Sequence, residues 1–65
     1  MHEKVIDVTE TLALTQRGLR AEDPDVLSSA ESVLSYLVLH LKHRKAPVPG
    51  RLLPHLERLE AYAHV

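Results

Sequence analysis

The stretch PDVLSSAESVLSYLVLHLKHR, residues 24–44, decides the fold that the sequence predicts. Its apolar residues recur at spacings of three and four, which places them on one broad arc of an α-helix. Asp23 precedes the stretch as an N-cap acceptor, and Pro24 suits the first helical position. We therefore predict a helix over residues 24–44, with basic residues at its end to complement the negative end of its dipole. The residues predicted to face the core are Val26, Leu27, Ala30, Val33, Leu34, Leu37, Val38 and Leu41.

One shorter helix is predicted before this helix and one after it. Residues 4–20 carry a stripe at helical spacing, formed by Val5, Val8, Leu12, Thr15 and Leu19. Gly18 is interpreted either as a C′ residue that ends this helix at Arg17, which we favour, or as an interior glycine. Residues 52–63 carry the third stripe, with Pro54 in the first turn, where its missing N–H costs nothing.

The connections between these segments complete the predicted fold. Pro47, Pro49 and Gly50 cannot continue a helix, and each proline favours an extended conformation for the residue before it. Strand signals are nearly absent, because no alternating run and no hairpin turn occurs. The predicted fold class is all-α: a small three-helix domain, residues 1–65, with an antiparallel helical hairpin and a C-terminal helix after a Pro-rich loop.

Composition narrows the classes of protein that fit. A chain of 65 residues has room for one domain, and it has no cysteine for a disulfide. Eight basic and nine acidic residues give a formal net charge of −1, which argues against generic binding to phosphate backbones or anionic lipids. No signal-peptide pattern and no apolar run of membrane-spanning length is visible. We therefore expect a cytoplasmic protein that does not act at a membrane.

The sequence does not contain the residues that the common catalytic and ligand-binding motifs require. Two glycines cannot build a P-loop or a dinucleotide fingerprint. No nucleophile elbow surrounds any serine. His40 and His43 lie three apart on the second helix, but a zinc site usually needs three or four protein ligands. The sequence therefore predicts that the protein is not an enzyme and holds no cofactor and no metal.

A second stripe on the long helix lies opposite its core arc. Ser28, Ser32, Ser35 and Leu39 follow one another at spacings of four, three and four, the seam spacing of helix packing. The stripe has no charged residue. Serines let another helix come close, and Leu39 could anchor it.

The residues expected to form a partner interface are Ser28, Ser32, Ser35, Tyr36, Leu39 and His40. They predict a non-enzymatic protein–protein interaction module, such as a small regulator, inhibitor or adaptor. It would self-associate, most simply as a homodimer, or dock on a larger protein. Two alternatives stay open: the serines are ordinary surface residues, or the stripe packs against the third helix of the same chain.

A basic cluster gives the alternative function, a small DNA-binding transcriptional regulator. The segment 42–51 holds the possible nucleic-acid contacts Lys42, Arg44, Lys45 and Arg51. A helix-turn-helix would need a turn of about three to four residues, whereas this connection is longer and contains two prolines. The third helix also carries as much acid as base, so the sequence disfavours nucleic acid as a partner.

Overall fold

Three α-helices and two short strands make up the chain in the computed structural model, which describes residues 4–64. In chain order they are β1 (Val5–Asp7), α1 (Val8–Gly18), α2 (Pro24–Leu37), β2 (Lys45–Pro47) and α3 (Leu53–Ala63). Single 3₁₀ turns follow α2 at Val38–His40 and precede α3 at Gly50–Leu52. The structure is mostly helical with three helices, as predicted. The predicted domain of residues 1–65 also includes residues 1–3 and 65, which lie outside the described part.

The start of α2 confirms the predicted cap. The Asp23 carboxylate accepts a hydrogen bond from the backbone N–H of Asp25 at 2.8 Å, and Pro24 occupies the first turn. Both features favour helix initiation, because they satisfy or remove N–H groups that have no partner inside the helix.

The predicted end of α2 at residue 44 is wrong. The helix stops at Leu37, and after the 3₁₀ turn the chain reverses toward β2. Ala46 and Val48 are buried in the core. Each of these residues precedes a proline, which favours an extended conformation. In this conformation the chain brings both side chains back to the core. The basic residues 42–45 consequently lie beyond the helix and do not complement its dipole.

The two-stranded sheet corrects the all-α prediction. β1 and β2 pair antiparallel, with Val5 opposite Pro47, Ile6 opposite Ala46 and Asp7 opposite Lys45. Backbone hydrogen bonds continue the ladder at both ends, from Val8 to Arg44 at 3.0 Å and from Val48 to Lys4 at 2.8 Å. Strands of three residues are too short to show an alternating pattern, so periodicity could not reveal them.

Because residues 5–7 form β1, the first helix starts at Val8 and not at residue 4 as predicted. Asp7 is its N-cap, and its carboxylate accepts from the backbone N–H of Glu10 at 2.9 Å. Val5, predicted on the core stripe, is exposed on the strand instead. The β-branched pair Val5 and Ile6 suits a strand better than a helix terminus.

All three helices pack against one another around the core. The buried apolar residues come from the three α-helices, from β2 and from the segments that connect them: Val8, Ala21, Val26, Ala30, Val33, Leu37, Ala46, Val48, Leu52, Leu56 and Leu59. Val38 and Leu41, predicted as part of the core arc, are exposed, because the chain leaves the α-helix at Leu37. The end of α2 therefore shows apolar side chains to solvent.

α3 matches its prediction closely. It spans Leu53–Ala63 with Pro54 in the first turn, and its stripe buries Leu56 and Leu59. Leu52 is also buried, although it belongs to the preceding 3₁₀ turn. The predicted antiparallel pairing of the first two helices stays a prediction.

Gly18 lies where α2 and α3 come close to α1, which corrects the C′ interpretation. It is the last residue of α1 and does not adopt a positive φ. A Cβ atom built on it would lie 2.5 Å from Cδ2 of Leu59 and 3.0 Å from Cβ of Ala30. The absence of a side chain, rather than a left-handed backbone, is what this position requires.

Replacing Asp23 with alanine tests the α2 cap. Loss of the side-chain acceptor should lower the free energy of unfolding by about 0.5–2 kcal/mol, measured by urea denaturation. Glu22→Ala is the control, since this neighbouring carboxylate is exposed, and it should change stability by less than about 0.5 kcal/mol. Equal effects of the two substitutions would show that Asp23 is not the cap.

Replacing Gly18 with alanine tests the close helix approach. Alanine gains up to about 1 kcal/mol in helix propensity, yet its methyl group would overlap the fully buried Leu59. We expect a net loss of about 1–3 kcal/mol. Gly50→Ala is the control, because a Cβ there meets nothing within 4 Å. A Gly18→Ala protein that is more stable than the wild type would contradict this packing.

Candidate functional site

A groove of about 460 Å³ lies between the end of α2 and the beginning of α3. Its lining comes from both helices and from the 3₁₀ turns next to them: Ser32, Ser35, Tyr36, Leu39, Arg51, Leu52 and His55. Four of these belong to the predicted partner interface, and Arg51 belongs to the predicted basic cluster. The sequence placed these two groups in separate hypotheses, whereas the structure brings Arg51 into the same groove as these four residues.

The α2 wall of the groove contains most of the predicted stripe. Leu39 is the most exposed large apolar residue described, at 76%. Ser35 donates its hydroxyl hydrogen to the carbonyl of Glu31 at 3.1 Å, so this group is satisfied within its own helix. Ser28 is exposed and does not line the groove. The stripe therefore forms a wall of small residues that ends in an uncovered leucine.

Tyr36 fixes this wall to the sheet. Its hydroxyl donates to the carbonyl of Pro47 in β2. Its ring contacts the His40 ring, with centroids 4.5 Å apart and a tilt of 39°. These contacts engage the side chains of Tyr36 and His40 within the chain. The two residues therefore shape the groove more than they offer contacts to a partner.

The α3 wall contains a hydrogen-bond network that the sequence analysis missed. The hydroxyl of Ser29, which is fully buried, lies 2.9 Å from Nδ1 of His55. It also accepts a hydrogen bond from Arg58 at 3.1 Å. Since a guanidinium only donates, the hydroxyl can pass its own hydrogen to Nδ1 of a neutral His55. The spacing of three between His55 and Arg58 was the available signal for a shared partner.

This network does not have the form of a catalytic serine. Ser29 has no exposed surface through which a substrate could reach its oxygen. A nucleophilic serine needs a base that is oriented by a further group, usually a carboxylate. Here the third member is the guanidinium of Arg58, which binds the hydroxyl itself. The arrangement therefore orients the His55 ring and does not activate Ser29.

Positive charge is concentrated in one segment of the sequence, and one residue of that segment, Arg51, lines the groove. Residues 32–56 contain four Lys or Arg residues and no Asp or Glu. The rest of the chain contains four Lys or Arg residues and all nine Asp or Glu residues. The four in residues 32–56 are Lys42, Arg44, Lys45 and Arg51, and all are exposed. Among residues 4–64 the one ion pair joins Lys4 to Glu60 at 3.9 Å and involves none of these four cations. A chain of net charge −1 thus contains one cationic segment, residues 32–56.

An acidic concavity of about 250 Å³ lies beside β1 and α1. Asp7, Glu10 and Glu60 line it together with Val5, Thr11 and Leu14. Asp7 is occupied as the N-cap of α1, and Glu60 pairs with Lys4. The carboxylates of Asp7 and Glu60 therefore have structural roles.

The two histidines that lie three residues apart, His40 and His43, are near each other in the structure. His40 and His43 have ring centroids 6.2 Å apart. Within the described residues, no three His, Asp or Glu side chains come together in a group that could hold a metal ion.

Comparison of the chain with models of known protein families, with curated proteins and with solved structures finds no match. Over residues 4–64, no helix combines the length and apolar character needed to cross a membrane. Assignment of a function therefore rests on the geometry of the chain itself.

Replacing Ser29 with alanine tests the network behind the groove. Ser28→Ala is the matched control, because it makes the same change one position along α2 at an exposed site and shares the gain in helix propensity. We expect Ser29→Ala to be less stable than Ser28→Ala by about 1 kcal/mol. The ¹⁵N shifts of the His55 ring should move in Ser29→Ala alone. Unchanged shifts would show that the hydroxyl does not orient His55.

Proposed function

We propose that this chain is a non-enzymatic protein interaction module, a small regulator, inhibitor or adaptor that docks on another protein through the end of α2 and the adjoining groove. The observation that carries the proposal is the exposure of Leu39 beside a groove. Val38 and Leu41, which lie within two residues of Leu39 in sequence, are also more than half exposed. A cluster of exposed large apolar side chains is typical of an interaction site.

The character of the groove supports binding of a macromolecule. Its walls combine small hydroxyl side chains with one apolar anchor, and interfaces commonly gain most of their affinity from a few such anchors. Tyr36 and His55 are held by contacts behind the groove. Rigid walls lower the entropy lost on binding.

Absence of catalysis is part of the proposal, and its support is chemical. The serine that meets a histidine is fully buried, so it cannot attack a substrate. Self-association through the same surface, as in a homodimer, is another form of the proposed function. A cytoplasmic location also belongs to the proposal.

A DNA-binding regulator is the second candidate. The concentration of exposed cations in residues 32–56 favours it, because positive charge supplies most of the non-specific affinity for DNA. However, Lys42, Arg44 and Lys45 lie in the turn after α2 and on β2. They are therefore not displayed along a helix that could enter a major groove.

Replacing Leu39 with glutamate tests the proposed function. A random-peptide phage library is selected on the immobilised full chain, and enriched peptides are measured by fluorescence anisotropy. Leu39→Glu places a carboxylate at the anchor and should weaken their binding at least about tenfold. Its circular dichroism should stay helical, because the side chain is mostly exposed.

Tyr62→Glu is the control, since it introduces the same charge at an exposed apolar residue near the other end of α3. Light scattering of the wild type provides the self-association arm. Absence of any enriched peptide, together with a monomer at high concentration, would contradict the proposed function. Equal loss of binding in both variants would place the interaction elsewhere.

A further inference from the structure

We propose that the groove between α2 and α3 binds an acidic segment of a partner protein. One apolar side chain of that segment packs against Leu39, and a neighbouring carboxylate binds Arg51 and His55. The inference rests on the proposed function and adds to it the chemical class of the partner.

The charge of the groove selects an acidic ligand. Arg51 and His55 line it, and none of its lining residues is acidic. The nearest acidic residues in sequence, Glu31 and Glu57, lie outside the lining. An arginine offers several N–H donors in a planar fork that fits a carboxylate. An acidic segment would therefore find a matching donor at the groove.

The orientation of His55 adds a second donor. Because Nδ1 meets the buried hydroxyl of Ser29, the other ring nitrogen is the one left for a ligand. In the tautomer that accepts from Ser29, this Nε2 atom carries the hydrogen. Arg51 and His55 lie four residues apart at the beginning of α3, and both line the groove. Two donors on one wall favour a carboxylate over a single hydroxyl or carbonyl group.

The apolar wall explains why the ligand is a peptide segment and not a free anion. Leu39 and Leu52 lie in the same groove as the two donors. The volume of about 460 Å³ falls in the range of sites that enclose a few side chains. A segment that carries a leucine-like residue beside aspartate or glutamate would satisfy both walls. Small serines on α2 leave room for its backbone.

A second copy of this chain fits the groove less well. In a two-fold contact each residue near the axis meets its own counterpart. A symmetric contact through Leu39 would therefore place the Arg51 side chains of both copies in one interface, and like charges across an interface oppose binding. A head-to-tail contact with the acidic concavity avoids this repulsion, but it forms a closed ring only at particular rotation angles and otherwise continues into an open chain of copies.

The test asks which sequences the groove selects. The wild-type chain is immobilised for selection from the random-peptide phage library, and the most enriched peptide, labelled with fluorescein, is the probe. We expect enrichment of Asp or Glu next to Leu, Ile or Phe. Arg51→Glu should lower the affinity for the probe at least about tenfold. Arg20→Glu is the matched control, because it makes the same change at an exposed arginine before α2, and it should lower affinity by less than about threefold.

A charge swap tests direct contact. A probe in which the acidic residues are replaced by lysine should bind Arg51→Glu more tightly than it binds the wild type. Such an exchange identifies a pairwise interaction, which a merely structural effect of the substitution would not produce. Circular dichroism of both variants checks that the fold is kept.

Three results would overturn the inference. Neutral or basic peptides whose binding depends on Leu39 would leave the proposed function standing and remove the acidic partner. A dimer in light scattering that Leu39→Glu dissociates, without any acidic peptide enriched, would assign the groove to a second copy. Binding of a duplex DNA oligonucleotide that Arg51→Glu abolishes, with no peptide enriched, would favour nucleic acid and also remove the proposed function.

Discussion

The close approach of the three helices at Gly18 is the constraint on which the rest of the structure depends. Leu59 of α3 and Ala30 of α2 both reach the position that a side chain of Gly18 would fill. A chain of 65 residues without a disulfide has few other means to stabilise a core. Tight packing at one point lets Leu56, Leu59 and Leu37 become fully or almost fully buried.

The sheet completes the core where the helices do not. Ala46 and Val48 fill positions beside the helices, and each is set in an extended conformation by the proline that follows it. This return path requires α2 to end at Leu37 instead of continuing to residue 44. Its consequence is that Val38, Leu39 and Leu41 leave the core arc and face solvent. The apolar surface at the end of α2 is thus a product of how the core is closed.

The sequence predicted the features of this fold that depend on local signals, but not those that depend on long-range contacts. Helical periodicity and capping predicted the three helices and the starts of α2 and α3, because these signals are local. The sheet depends on pairing between residues about forty positions apart, and a three-residue strand has no periodicity to reveal that pairing. The role of Gly18 depends on a neighbour in α3, so sequence alone offered only its known preference for helix ends. For the groove, three residues of the predicted stripe, Ser32, Ser35 and Leu39, line one wall, but the sequence could not place Arg51 and His55 in the same groove.

Ser29 connects the stability of the fold to the shape of the groove. A buried hydroxyl must find partners, because an unsatisfied polar group in the core is costly. Within the described residues no buried side-chain polar atom is left without a partner, and for Ser29 those partners are His55 and Arg58 on α3. Satisfying the hydroxyl therefore fixes the His55 ring against α2. The same bond that joins two helices also sets one wall of the groove, so the groove keeps its form only while α2 and α3 stay packed. Any ligand that binds both walls should in turn hold these two helices together and raise the stability of the whole fold.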